Sequence, residues 1–293
     1  MTDSAETHLS QHLTSQPAIA ERIAATESLV RQHPGDASHR WALFQWLCIC
    51  SEWERAMRQL QVFGQLNPAG LPLVQAYRDL VRAERWREDV MLGRRPPGFV
   101  LDDIPAWMQG MINALELTAR GEDAAADSVR EQALDTAPST SGHAGDTSFD
   151  WIADSDSRLG TVYEIMTAGS YRWLPLDDIA TWTISAPTAL IDLVWAPCTV
   201  TLRDGTLVHG FTPSRYPLPA SLPGSDYVAG NDRDVLHLGC QTVWHETGRT
   251  GVIAQGRKCW TTSAGDVGLF DWLTCSLVTA QRLAATQPAT IPQ

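Results

Sequence analysis

Two prolines, Pro34 and Pro68, lie 34 residues apart in a part of the chain where apolar residues recur at helical spacing. This distance is the period of tetratricopeptide repeats, each of which is a pair of antiparallel helices. Between the prolines, residues 38–50 and 52–66 have the lengths of two such helices, and Ala56 is small enough for them to approach closely. The spacing therefore predicts a domain built from helical hairpins.

The segment 105–138 repeats this design, with alanines at helical spacing, a glycine turn and a closing Pro138. A further helical stretch over residues 71–92 lies between the two hairpins and ends before a Pro-Pro-Gly breaker. We therefore expect residues 20–138 to form a tetratricopeptide-like helical superhelix.

The character of the sequence changes after this region. Residues 139–147 are rich in Gly, Ser and Thr, which is typical of a linker. Farther along, two alternating segments within residues 198–211 flank Asp204-Gly205, the strongest short-range signal for a β-hairpin. Other strands are predicted where apolar and polar residues alternate, at 171–174, 179–185, 241–246, 251–260 and 268–278.

One amphipathic helix is predicted in this half, over residues 157–168. Its apolar stripe would comprise Leu159, Val162, Tyr163 and Met166. With the strands, it predicts an α+β domain over residues 148–280 that contains an antiparallel sheet, and the pattern leaves closure into a small barrel open. We expect residues 1–19 to be a frayed N-terminal tail and residues 281–293 a flexible C-terminal tail.

The net charge of −12 is divided equally between residues 1–140 and the remainder, so neither half has the basic character of a nucleic-acid-binding protein. The first 20 residues lack the basic start and apolar core of a signal peptide. No stretch reaches the ~18 apolar residues that span a bilayer. We therefore expect a cytoplasmic protein without membrane insertion. Of the 22 basic side chains only Lys258 is a lysine.

The six cysteines form no CxxC pair, so we expect free thiols rather than disulfides or a zinc site. The eight histidines show no HExxH run and no zinc-finger spacing with cysteine. The sequence also lacks the GxSxG, GxxxxGK[ST] and GxGxxG motifs of serine hydrolases, P-loop ATPases and dinucleotide-binding enzymes. We expect no metal, no cofactor and no enzymatic activity.

A helical-repeat domain can bind a helix or an extended peptide on its concave surface, which the first helices of successive hairpins line. The repeat register places nine side chains on that surface: Trp41, Gln45, Cys48, Gln75, Asp79, Arg82, Met108, Met111 and Leu115. Methionine suits an adaptable groove for the apolar stripe of a partner helix. The alternative is that Met108, Met111 and Trp41 pack in the core.

Asp154, Asp156 and Arg158 could bind a divalent cation or form a catalytic cleft, since carboxylates are hard oxygen ligands. A structural role is favoured. Asp156 directly precedes the predicted helix, where its carboxylate would cap free N–H groups. Arg158 would then pair with Asp154 or reach back to the sheet.

Pro213 and Pro217 each fix a backbone φ angle on either side of Arg215 and Tyr216. This rigid segment could present both side chains to a partner protein. It could equally be a turn whose tyrosine is buried, and the sequence does not decide between the two.

Several stretches together resemble the ImpE/TagJ family. In the second half they are FDWIADSDSRLG (149–160), DLVW (192–195) and PSRYP (213–217), and in the helical half LFQWLCICSEWERAMRQL (43–60) and LPLVQAYRDLVRAE (71–84). The resemblance extends over residues 20–280 in the same order. The family generally has Thr where this chain has Ser214.

The resemblance implies an accessory protein of the type VI secretion system, in which a contractile sheath is dismantled by a ClpV-type ATPase. Members of the family resemble non-enzymatic adaptors that bind the N-terminal helix of the small, TssB-like sheath subunit and aid handling of the sheath by the ATPase. Two other functions stay open: an enzyme that uses Asp154, Asp156 and Arg158 at the domain junction, and a scaffold that acts by self-association.

Overall fold

Helices dominate the first part of the chain in the computed structural model, which describes residues 18–217 and 231–279. The helices in this part are α1 (Ile19–Gln32), α2 (Ala37–Ile49), α3 (Trp53–Leu66), α4 (Leu71–Met91), α5 (Ala106–Ala119) and α6 (Asp123–Thr136). Short turns join α2 to α3 and α5 to α6, so that each pair packs as a hairpin. The predicted helical region is confirmed. α4, with 21 residues, is a single long helix between the two hairpins.

The ends of these helices follow from local chemistry. The carboxylate of Asp36 accepts a hydrogen bond from the N–H of Ser38 at 2.8 Å and caps α2. α4 is followed by Gly93, which adopts φ 66°. A Cβ at this position would lie 2.1 Å from the carbonyl oxygen of Leu115, so only glycine fits where α4 and α5 meet.

The second half is built on a nine-stranded sheet in the order β1-β6-β5-β9-β8-β7-β14-β2-β3. All neighbours are antiparallel except β1 and β6, so the sheet is mixed. β1 and β3 form its two edges, and the described strands do not close into a barrel. The strands of this sheet are β1 (Gly98–Phe99), β2 (Thr140–Ala144), β3 (Thr147–Phe149), β5 (Val162–Thr167), β6 (Ser170–Pro175), β7 (Ile179–Ile184), β8 (Trp195–Leu202), β9 (Leu207–Pro213) and β14 (Thr274–Thr279).

Two smaller sheets complete this half. One has the order β13-β12-β4, and the other is the β10-β11 hairpin. Their bounds are β4 (Ile152–Asp154), β10 (Thr242–Thr247), β11 (Gly251–Gly256), β12 (Cys259–Thr262) and β13 (Gly265–Gly268). A short helix, α7 (Asn231–His237), directly precedes β10. The β8-β9 hairpin turns at Asp204-Gly205 as predicted, with Gly205 at φ 90° and the Asp204 carboxylate accepting from the N–H of Thr206.

The helix predicted over residues 157–168 is wrong, because residues 162–167 form strand β5 in the middle of the large sheet. This strand is buried on both faces, so its apolar residues do not alternate with polar ones and their spacing can be mistaken for that of a helix. Val162, Tyr163 and Ile165 are β-branched or aromatic, which favours a strand. Gly160, at φ 57°, lies in the turn before it.

The segment 139–147, expected to be a linker, contains β2 and the first residue of β3. Within this segment, Gly145 and Asp146 form the turn of a β-hairpin, with Gly145 at φ 55°. β2 also pairs with β14, so this hairpin forms one end of the large sheet. Of the two expected tails, residues 1–17 and 281–293 lie outside the described residues.

A continuous core connects the two halves. Trp195 of β8 stacks on Trp53 of α3, with ring centroids 5.8 Å apart, and lies 6.3 Å from Tyr77 of α4. Trp182 and Trp260 stack at 5.3 Å in the second half. The helices therefore pack directly on the sheet, and β1 extends that sheet from within the helical half.

The six cysteines are free thiols, as predicted, and Cys48, Cys198, Cys259 and Cys275 are buried. Within residues 18–217 and 231–279, no helix is both long and apolar enough to cross a membrane.

Candidate functional site: a buried charge network and an open groove

The contact between α4 and the large sheet is centred on an arginine that is fully buried. Arg87 donates two hydrogen bonds to Glu164 of β5, through Nε at 2.6 Å and a terminal nitrogen at 3.0 Å. Its other terminal nitrogen donates to Glu84 at 2.9 Å and to the carbonyl oxygen of Arg215 at 3.1 Å. Trp195 donates to the second oxygen of Glu84. This two-point arginine–carboxylate geometry fixes α4 against the sheet.

Lys258 continues the network into the second half. Its Nζ donates to Asp154, and to Glu164 at 2.6 Å. The other oxygen of Asp154 accepts from the hydroxyl of Tyr216 at 2.7 Å and from the N–H of Asp156 at 2.9 Å. Lys258, Glu164 and Tyr216 are completely enclosed, so the whole cluster lies away from water. Buried charges are tolerated only when they are paired in this way.

The charges in this network shift one another's pKa values. Burial alone would raise the pKa of Glu164, but Arg87 and Lys258 hold it below its ordinary value. Burial raises the pKa of Asp154 to about 6, against the attraction of Lys258. Burial likewise opposes the charge of Lys258, yet Asp154 and Glu164 keep its pKa above the ordinary value. Glu164 is the carboxylate most firmly held in its charged form, because it contacts two cations.

Asp156 and Arg158 form a separate buried pair. The carboxylate of Asp156 accepts from Nε of Arg158 at 2.8 Å, from a terminal nitrogen of Arg158 at 2.5 Å and from the N–H of Ala254 at 3.0 Å. Within the described residues, no helix begins directly after Asp156, so the predicted helix cap is wrong. Of the two alternatives for Arg158, the pair with Asp154 does not form, because Arg158 pairs with Asp156. The carboxyl oxygens of Asp154 and Asp156 are occupied by donors from the chain itself. They therefore do not form an open catalytic cleft.

Of the two alternatives left open for Arg215 and Tyr216, presentation to a partner does not describe this structure, because both side chains are buried. Arg215 donates to the carbonyl oxygens of Ile49 at 2.5 Å and Cys48 at 2.8 Å, at the C-terminal end of α2. A guanidinium suits this position because its positive charge is stabilised by the carbonyl groups at the negative end of the helix dipole. The rigid-turn alternative describes the structure.

The nine residues predicted to line a concave groove lie on α5, α2 and α4. Those on α5 and α2 are covered by other parts of the chain, whereas those on α4 face solvent. Met108, Met111 and Leu115 are buried in the core, so the prediction that they form an open apolar groove is wrong. A Cβ at Gly160 would come within 3.6 Å of the end of Met111, which places a turn of the second half against this face of α5. The concave side is thus covered by the chain's own second half.

The same covering is seen at α2. Gln45 accepts a hydrogen bond from the N–H of Ile191 at 3.3 Å, and Cys48 is completely buried. Trp41 packs in an aromatic cluster with Phe44, Phe63 and Tyr77, at centroid distances of 5.1–5.3 Å. None of these three predicted residues offers its side chain as an open surface.

Gln75, Asp79 and Arg82 on α4 do face solvent to different degrees. Asp79 accepts from Gln75 at 3.1 Å and pairs with Arg82 at 2.9 Å. Arg82 also donates to the carbonyl oxygen of Gly169, in the turn between β5 and β6, at 3.1 Å. This exposed polar chain marks the edge of a groove between α4 and the sheet.

The groove has a volume of about 590 Å³ and is open to solvent. One wall is α4 and the other is the large sheet. It is lined by Ala76, Asp79, Leu80, Ala83, Met166, Thr167, Ala168, Gly169, Ser170, Thr183, Ser185, Pro197, Cys198, Thr199, His209, Gly210 and Phe211. Thr183, Thr199 and His209 stand side by side on β7, β8 and β9 because their Cα positions are paired across the strands. The lining combines small apolar residues with hydroxyl groups.

Sequence reasoning identified Asp79 of the groove but missed most of its lining and the cations of the network. Arg87 and Glu84 show only ordinary i,i+3 helical spacing, and their partner Glu164 is 77 residues away in the chain. Lys258 carried a signal, since it is the only lysine of an arginine-rich chain. No local pattern could have shown that it is buried.

Comparison with known proteins gives three consistent findings. A family model described as ImpE protein matches residues 146–276. The type VI secretion system accessory component TagJ of Pseudomonas aeruginosa is 35% identical over 263 residues, which cover 90% of this chain and 89% of that protein. The crystal structure of VPA1032 from Vibrio parahaemolyticus has a TM-score of 0.79 and covers 90% of this chain and 96% of its own, at 24% identity. The last of these shows a shared fold.

Proposed function

The chain belongs to the ImpE/TagJ family of type VI secretion accessory proteins, and we propose that it is a non-enzymatic adaptor that holds the N-terminal helix of the small, TssB-like sheath subunit. The observation that carries this proposal is the open groove of about 590 Å³ between α4 and the sheet. It takes the place of the concave surface predicted from the repeat, which the second half of the chain covers.

The lining of the groove suits an amphipathic helix. Ala76, Ala168 and Gly169 are small, so a partner backbone can approach closely. Phe211 and Pro197 contribute apolar surface, while the hydroxyl groups of the strands can pair with polar side chains at the edge of the helix. Helix-in-groove recognition uses this combination of an apolar floor and a polar rim.

The buried network supports a binding function rather than a chemical one. The four carboxylates of the buried core at this junction, Glu84, Asp154, Asp156 and Glu164, are paired and enclosed, so no general base or nucleophile among them can reach a substrate. The network fixes α4 and the sheet, and thereby the width of the groove. In this proposal the adaptor works in the cytoplasm, where it brings the sheath subunit to a ClpV-type ATPase.

The test is to fill the groove with a side chain. Ala76→Arg places a long charged group on its α4 wall, and we expect it to weaken binding of the TssB-like subunit by about tenfold or more. Ala125→Arg is the matched control, because Ala125 is also an exposed alanine on a helix but lies on α6, away from the groove. The control should bind like the wild type in a fluorescence titration.

A second arm tests the occupant. Removal of the first ~25 residues of the small, TssB-like sheath subunit, which correspond to about 38 Å of helix, should abolish binding to the wild-type adaptor. The proposal fails if Ala76→Arg stays folded by circular dichroism and binds the subunit as tightly as the wild type. Unchanged binding of the truncated subunit would refute the assignment of the helix instead.

A further inference from the structure

A second face of α4 carries a concentration of positive charge that lies almost entirely outside the groove. Three arginines lie along one side of the helix at spacings of four and three residues, and two more follow its C-terminal end. We call these five residues the arginine face: Arg78, Arg82, Arg85, Arg94 and Arg95. All are exposed, with side-chain exposures of 51–68% for the four in ion pairs.

Nearby carboxylates neutralise this face only in part. Asp79 pairs with Arg82 at 2.9 Å, Asp89 lies 3.2 Å from Arg95, and Glu54 lies 3.7 Å from Arg85. Five cations against these three anions leave a local charge of +2 on a chain whose net charge is −12. Exposed ion pairs of this kind contribute little stability, so a stronger anionic ligand can replace them.

A pocket lies within the arginine face. It has a volume of about 310 Å³ and is lined by Met57, Arg78, Val81, Arg82, Arg85, Trp86, Asp89 and Arg95. Trp86 is 40% exposed, and its indole N–H donates to the carbonyl oxygen of Pro96 at 3.0 Å, which fixes the orientation of the ring. The guanidinium of Arg95 lies 4.7 Å from the centre of that ring. An apolar floor is thus surrounded by cations.

We propose that the arginine face binds an acidic peptide segment of a protein partner. Carboxylates of the segment replace the weak surface pairs and form two-point hydrogen bonds with the guanidinium groups. One apolar or aromatic side chain of the segment enters the pocket and contacts Met57 and Trp86. The charge of a short acidic segment matches this small patch, whereas a nucleic acid extends a dense row of phosphates across a surface that is negative elsewhere.

This site shares only the Asp79–Arg82 pair with the groove in the proposed function, and its other arginines lie outside the groove lining. Arg85 lies roughly 140° around the helix axis from Leu80, which lines the groove. Both surfaces of α4 can therefore be occupied at the same time. A single long helix that is exposed on two sides can connect two partners, or two segments of one partner, through a rigid element.

The experiment uses a fluorescein-labelled 12-residue peptide of Asp and Glu with one central Trp, and measures anisotropy with the full-length protein. Arg78→Glu/Arg85→Glu should weaken binding by about tenfold or more. The matched control Arg31→Glu/Arg120→Glu makes the same change in net charge at exposed arginines on α1 and after α5, and should change binding by less than about twofold.

Two further experiments separate the contribution of charge to binding from the contribution of the pocket. A peptide in which every acidic residue is replaced by its amide should not bind. Trp86→Ala should weaken binding of the Trp-containing peptide but leave an equally charged peptide without Trp unaffected. Three outcomes would overturn the proposal: no binding of the acidic peptide to the wild type, equal binding by the Arg78→Glu/Arg85→Glu variant, or tighter binding of a 12-nucleotide thymidine oligonucleotide than of the peptide.

Discussion

Replacement of Lys258 by methionine tests the buried network most directly, because methionine keeps most of the volume of the side chain and removes its charge. In the native protein Nζ pairs with both Asp154 and Glu164. Without it, Glu164 still contacts Arg87, whereas Asp154 retains only the Tyr216 hydroxyl and one backbone N–H. The uncompensated charge therefore falls mainly on Asp154.

Loss of one partner from a buried ion pair costs about 3–5 kcal/mol, and we expect Lys258→Met to lower the free energy of unfolding by that amount at pH 7. The double variant Lys258→Met/Asp154→Asn removes the stranded charge as well, so it should recover part of the loss, roughly 1–3 kcal/mol. The measurement is urea denaturation followed by tryptophan fluorescence. A loss below about 1 kcal/mol for the single variant would refute the argument, as would a double variant less stable than the single one.

Two other variants test the buried histidine His237 and the buried pair of Asp156 and Arg158. Burial and the nearby Arg215 lower the pKa of His237 to about 3. As pH falls below about 6.5, the unfolded chain therefore takes up a proton that the folded chain does not. The free energy of unfolding then decreases by up to roughly 1.4 kcal/mol per pH unit until about pH 3. His237→Gln should flatten this slope in denaturation curves recorded between pH 7 and 4, and an unchanged slope would contradict the assignment. Asp156→Ala strands the buried Arg158 and should cost about 3 kcal/mol or more by urea denaturation; a cost near 1 kcal/mol would instead indicate a simple cap.

Much of the fold was predictable where signals are local. The α2-α3 hairpin and the β8-β9 hairpin depend on residues close together in sequence, such as the Asp204-Gly205 turn. β5 was not predictable from its spacing, because a strand buried on both faces loses the alternation that identifies strands. The Gly145-Asp146 turn shows the same limit, since turn residues do not reveal whether the strands beside them find a partner.

The candidate site was less predictable because it depends on contacts between distant parts of the chain. The register that placed Met111 and Cys48 on a concave surface was reasonable for an isolated helical repeat. It failed because the second half of the same chain covers that surface, with Arg215 bonded to the carbonyl oxygens at the end of α2. The long-range pair Arg87–Glu164 could not be found by any local pattern.

The enclosure of Lys258 has a practical consequence for the study of assemblies that contain this protein. The chain has no other ε-amino group, and this one is shielded from solvent by two carboxylates. Amine-reactive dyes and crosslinkers therefore find no accessible lysine on the folded protein, and its neighbours would be missing from lysine-based crosslinking maps. Reagents directed at carboxyl groups suit this chain better, and slow labelling of Lys258 itself would report each opening of the junction between the helices and the sheet.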